Sequence, residues 1–124
     1  MTGNMQLYND FFTIIEQKEN DFLIKFNKNH FIYRAHFPKN PITPGVLLMQ
    51  IAAELLEIIT NSKLFLRKIR NLKFLAVINP KIVENVHFTF SKIEKIESGY
   101  NISVEIHNGS TIFAKMSANF HKNE

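Results

Sequence analysis

His36 heads a segment, His36 to Glu54, in which one imidazole is followed by prolines at 38, 41 and 44, a Thr43-Pro44-Gly45 step and the apolar run beginning Val46-Leu47-Leu48-Met49. An imidazole has an ordinary pKa of about 6.5, so much of it is neutral near physiological pH and free to take a proton. The prolines fix φ near about −65° and push the residue before each toward extended backbone, which makes the loop stiff without side-chain packing. Thr43 reads as a helix N-cap and Pro44 as the first helical residue, where its missing N–H is no loss. Gly45 lets a ligand approach the main chain closely. The N–H groups of Gly45, Val46 and Leu47 then stand among the unpaired donors of a helix start, where they and the helix dipole favour an oxygen carrying negative charge. General base, oxyanion-binding helix end and rigid spacer lie side by side. Singly each is ordinary, since a lone His in a Pro-rich loop is commonly just a loop residue; the combination points to a site.

The elements that must position these residues follow from periodicity. Phe11 to Lys18 and Asp21 to Phe26 read as two strands of a hairpin turning at Glu19-Asn20, and Asn27 to Arg34 as irregular chain or a short helical turn. Val46 to Thr60 reads as the one long helix. Only Gln50, Glu54, Glu57 and Thr60 interrupt its apolar residues, and a helix apolar nearly all round is a buried one. Further strands are expected at Leu64 to Leu75, Asn85 to Lys95, Tyr100 to His107 and Thr111 to His121, with turns at Ser98-Gly99 and Asn108-Gly109. His87-Phe88-Thr89-Phe90 and Ile102 to Ile106 alternate as half-buried strands do. The expectation is an α+β fold, about six antiparallel strands in a curved sheet wrapped around one buried helix, forming a single domain over residues 1–124.

The bulk properties narrow the function classes. A chain of 124 residues is long enough for one core. With no cysteine there is no disulfide framework and no thiol nucleophile, which suits a cytoplasmic protein. The start, Met1 to Gln6, lacks the layout of a signal peptide, and no apolar run has the length of a membrane span. The net charge is +4, with Lys63, Arg67, Lys68, Arg70 and Lys73 clustered after the helix without an acid among them. These five read either as a solvated strand face or as a dock for an acidic partner. No Gly-rich or aromatic-interleaved basic motif supports nucleic acid as that partner. His30, His87, His107 and His121 lack the paired spacing of metal ligands, so no metal and no other cofactor is expected.

The pattern His36-Phe37-Pro38-x-x-Pro41-x-x-Pro44-Gly45-Val46-Leu47 resembles the signature of the 3-hydroxyacyl-acyl carrier protein dehydratases, members of the hot-dog superfamily. The resemblance is dense from Ala35 to Glu54 and weaker around Phe74 to Pro80. It implies a hot-dog fold, an acyl carrier protein or coenzyme A thioester as substrate, and a dimer or higher even oligomer with the site at its interface. In this resemblance His36 is the base, backbone donors at Gly45 and Val46 polarise the thioester carbonyl, and Phe37 and Pro44 line the substrate. It also implies an acidic partner for the basic cluster. The family's carboxylate falls on Gln50, and the Gln usual one turn later falls on Glu54, so the two residue types have exchanged places.

A glutamine cannot serve as a general acid, a role worth about 10²- to 10⁴-fold in rate. Glu54 could reach the site from one turn farther on, since a helical turn advances about 5.4 Å. A homodimer could give way to a heterodimer in which a related subunit supplies the acid. The chain could instead bind acyl thioesters without turning them over, or act as a thioesterase that directs water at the same carbonyl. Gln50, Glu54 and Glu57 share one helix face, and Glu54 and Glu57 read otherwise as a polar stripe at a subunit seam or a solvent window.

Overall fold

The computed structural model describes residues 6–35 and 38–123; His36 and Phe37 lie outside the described residues. Six strands and two helices follow one another as β1 (Phe12–Lys18), β2 (Asp21–Phe26), α1 (Phe31–Ala35), α2 (Gly45–Thr60), β3 (Leu64–Phe74), β4 (Asn85–Ile96), β5 (Gly99–His107) and β6 (Ile112–Lys122). The strands form one antiparallel sheet in the order β1-β2-β4-β5-β6-β3. This is the hot-dog architecture: the sheet curves around α2, and β1 and β3 are its edges.

Alternation decides which face is buried. Phe22, Ile24, Val86, Phe88, Val104, Ile106, Ala114 and Met116 lie opposite one another across neighbouring strands and are buried. Between them lie polar residues on the outer face, including Thr89, Ser103 and Ser117. A one-residue slip would exchange the two sets, so the register is tightly specified. On the helix side Leu48, Met49 and Ala52 face Leu72, Val104 and Met116 across an all-apolar crevice. Gly99, expected in a turn, already belongs to β5, where an added Cβ would fall 1.9 Å from the Phe120 carbonyl oxygen. The glycine there permits close strand approach.

Helix α2 is buried from Ile51 to Glu57 without interruption. That places two carboxylates inside, at 0% exposure for Glu54 and 7% for Glu57. Neither lies at a solvent window of the chain: each receives main-chain N–H groups from another segment. Glu57 accepts a hydrogen bond from the N–H of Leu64, the first residue of β3, at 2.8 Å. A buried acceptor of this kind fixes where the chain leaves the helix for the sheet.

Burial pushes the Glu57 carboxyl above its ordinary range; the Leu64 N–H opposes this, the nearby Glu54 adds to it, and Lys63 opposes it. The folded protein therefore holds this proton to higher pH than the unfolded chain, so stability falls as pH rises from the ordinary carboxylate range through the raised value. Glu57→Gln keeps an oxygen for Leu64 and removes the charge. Its urea midpoint should exceed that of the wild type at about pH 7 and converge with it at about pH 4; equal midpoints at both pH values would contradict this linkage.

Candidate functional site

The loop entering α2 is held by the strands and turns around it. Thr43 donates its main-chain N–H to the Ile78 carbonyl at 2.8 Å, and Asn79 donates its side-chain amide to the Asn40 side-chain oxygen at 3.0 Å. The Thr43 hydroxyl, expected to cap α2, instead pairs with the Tyr33 hydroxyl at 2.8 Å. Pro44 itself is the N-cap, extended at φ −62° and ψ 138°, and no side chain caps the helix. The helix begins at Gly45 and not at the proline, because an N-cap residue takes extended backbone.

This shift changes which donors remain. Leu47 N–H already bonds the Pro44 carbonyl at 3.0 Å, so it is not the free donor that the sequence suggests. Gly45 and Val46 N–H have no acceptor among the described residues. Val46 is 63% exposed, and a Cβ on Gly45 would fall 2.5 Å from the Phe74 ring. The ring of Phe74 thus rests on the first turn of the helix, and only a glycine allows it so close. Two unpaired N–H groups at a helix start beside an aromatic ring form a place where a polarised carbonyl oxygen can dock.

One turn on, Gln50 Nε2 donates to Glu54 Oε2 at 2.8 Å. Glu54 also accepts the Tyr8 N–H at Oε1 (2.9 Å) and the Leu7 N–H at both oxygens (3.2 and 3.1 Å). Helical spacing places Glu54 and Gln50 on one face but gives no sign of the amino-terminal backbone that meets them, because the partners are 46 and 47 residues apart and no pattern links them. His36 and Phe37, expected as base and lining residue, fall outside the described residues, so their distances to these groups are not part of the geometry.

The remaining expected residues divide by place. Lys63, Arg67, Lys68, Arg70 and Lys73 are all exposed on or next to the edge strand β3, and none makes an ion pair with a described residue. Of the other histidines, His30 is buried and caps the short α1: its Nδ1 accepts the Ile32 N–H at 3.2 Å and its Nε2 meets Asp10 at 3.0 Å. His87 and His107 stack on the outer sheet face at 5.2 Å, tied to Asp21 and Thr89. Among the described residues no group of three or more His, Cys, Asp or Glu is arranged to hold a metal ion. Among them, too, no helix is long and apolar enough to cross a membrane.

Fold and helix entry together define a hot-dog domain with an open helix start. A solved structure of the dehydratase heterocomplex ApeI:P from Xenorhabdus doucetiae matches 86% of this chain and 92% of its own with a TM-score of 0.62 at 14% identity. An uncharacterized protein from Erwinia carotovora subsp. atroseptica matches 90% and 92% with a TM-score of 0.56, also at 14% identity. The model of the ApeI-like family, described as ApeI dehydratase, matches residues 13–115, and the chain belongs to that family. It is also similar to 3-hydroxyacyl-[acyl-carrier-protein] dehydratases FabZ. The one from Rickettsia canadensis is 27% identical over 94 residues, 69% of this chain and 66% of that protein. The one from Rickettsia bellii is 32% identical over 68 residues, 48% of this chain and 47% of that protein. The matches thus span from about half to just under two thirds of these relatives' length.

Tyr33 is the support of the loop most open to test. It is buried against Phe11, burial pushes its phenol up to about 12, and the Thr43 hydroxyl opposes that shift. Tyr33→Phe leaves the buried Thr43 oxygen without its partner, which should cost about 1–3 kcal/mol. A stability lowered by that amount, read as a lower urea midpoint at unchanged slope, is the expected result, and Tyr33→Phe/Thr43→Val should recover part of it.

Proposed function

We propose that this protein is a dehydratase of 3-hydroxyacyl thioesters carried by acyl carrier protein or coenzyme A. His36 takes a proton from the carbon next to the thioester carbonyl, whose oxygen binds the Gly45 and Val46 N–H groups. The 3-hydroxyl departs with a proton as water, leaving the 2-enoyl thioester. The observation that carries this reading is the His36 to Gly45 signature in a chain of the ApeI-like dehydratase family, on a loop tied down at Thr43 and Asn40. The departing hydroxyl needs an acid, a role for which the sequence offers Glu54 or a residue of a partner subunit.

Pairing of subunits is supported by apolar side chains beside the open edge strand: Val46, Phe74, Leu75 and Val77 are each more than half exposed. A second copy, or a related chain, would cover them. The second reading is an acyl-thioester-binding subunit that gains turnover only with such a relative. It is favoured by Gln50, whose amide is held on Glu54 and has no acidic proton to give. A thioesterase remains the alternative chemistry and would release free thiol.

Purified protein should hydrate a 2-enoyl thioester, alone or with a related subunit, and His36→Ala should lower the rate by about 100-fold or more. Unchanged activity in that variant would remove His36 as the base. Reversing the charge at Arg67 and Lys68 should raise KM for a carrier-protein thioester several-fold while leaving a short, phosphate-free thioester unaffected. Equal effects on both substrates would remove the basic strand as a carrier dock.

A further inference from the structure

The sequence offers Glu54 as an acid that reaches into the site, but its hydrogen bonds all run the other way. Oε1 receives Tyr8 N–H at 2.9 Å and Leu7 N–H at 3.2 Å, while Oε2 receives Leu7 N–H at 3.1 Å and Gln50 Nε2 at 2.8 Å. The side chain is fully buried and every one of these contacts donates into it. Such a carboxylate works as an acceptor that joins two things, the amino-terminal backbone and the Gln50 amide.

We propose that Glu54 is a positioning residue that locks residues 7 and 8 onto α2 and fixes the Gln50 amide, so that residue 50 turns its oxygen, not a proton-donating acid, away from Glu54 and toward the substrate. The orientation of the amide is dictated, because its NH2 group must face the carboxylate; the flipped amide would set oxygen against oxygen. That Gln50 meets substrate rests on the dehydratase reading, whereas the coupling of Leu7, Tyr8 and Gln50 through Glu54 does not.

The lock has a consequence beyond residue 54. Leu7 carbonyl oxygen is the acceptor for the N–H groups of Asp10 (3.0 Å), Phe11 (2.7 Å) and Phe12 (3.3 Å), and Phe11 in turn stacks on Tyr33, which holds Thr43. A continuous set of contacts therefore runs from Glu54 through the amino-terminal turn back to the loop that carries the helix entry. Glu54 positions Gln50 directly and the loop at second hand.

The hydrogen-bond polarity shows how to test this. In Glu54→Gln the one remaining oxygen can still serve the Leu7 and Tyr8 N–H groups, but the new NH2 group then faces Gln50, whose amide must flip and turn its own NH2 group, not its oxygen, away from residue 54. In Gln50→Glu/Glu54→Gln the roles are restored in reverse: the amide oxygen at position 54 accepts from Leu7 and Tyr8, while the NH2 group there donates to a carboxylate at position 50. The double variant should therefore keep the fold and place an acid where the amide was.

Two measurements on the full chain decide the matter. Amide hydrogen exchange at Leu7 and Tyr8 should be slow in the wild type, at least tenfold faster in Glu54→Ala, and slow again in the double variant. With the related subunit absent, kcat for hydrating a 2-enoyl thioester should rise at least tenfold in the double variant over the wild type, with KM within about threefold, in keeping with the worth of a general acid. Exchange unchanged in Glu54→Ala overturns the proposal whatever the activity. Restored exchange in the double variant, with no gain in kcat over a wild type that turns substrate over, overturns the assignment of Gln50. Exchange behaving as stated, with no variant binding or hydrating any thioester, supports the positioning and overturns the dehydratase reading alone.

Discussion

Helix α2 is wrapped by its own sheet, so no polar group on its inner face can use water, and the rest of the structure follows from how that is met. A buried acceptor left unpaired costs about 1–3 kcal/mol, more if charged. Glu54 and Glu57 are both matched, and both by main-chain N–H groups from outside the helix. The matching fixes the chain on either side: Glu54 seats the turn that precedes β1, and Glu57 seats the first residue of β3. Two polar residues in an apolar helix thereby tie down the entry of one sheet edge and the exit to the other.

The loop before the helix is placed in the same way. Three prolines limit its backbone, but stiffness does not say where a loop lies. Its place comes from three cross-links, Thr43 to Ile78, Thr43 to Tyr33 and Asn40 to Asn79. Because the Thr43 hydroxyl is engaged by Tyr33, no side chain among the described residues caps α2, and the first two N–H groups have no acceptor among them. The absence of a cap is therefore what leaves two main-chain donors at the helix end. Phe74 closes one side of it, lying over Gly45 where any larger residue would push the ring away.

Much of the fold is legible in the sequence because strand alternation and a helix apolar on all sides are local patterns with few competing explanations. The strands at Asp21 to Phe26 and at Asn85 onward, and the helix ending at Thr60, stand where periodicity puts them. The helix start differs by one residue from the expected one, since Thr-Pro-Gly fits a threonine cap as well as a proline cap and only the distant Tyr33 decides between them. The helix face carrying Gln50 and Glu54 is likewise readable, but not its use. Leu7 and Tyr8 contribute main-chain donors, and a main-chain N–H leaves no mark in residue identity.

Chemistry and architecture separate in this domain for a related reason. The link between positions 50 and 54 is met by one amide and one carboxylate, and the link from 54 to the amino-terminal turn by oxygen at 54. Either order of Gln and Glu meets both requirements, so the packing of α2 is nearly indifferent to which residue carries the charge. Catalysis is not, since an amide at position 50 can hold a hydroxyl but cannot protonate it. A fold can thus keep its core, its loop and its helix end while its carboxylate moves one turn along. Family membership accordingly fixes the architecture of this domain, and the order of two residues on α2 sets only where on it the carboxylate stands.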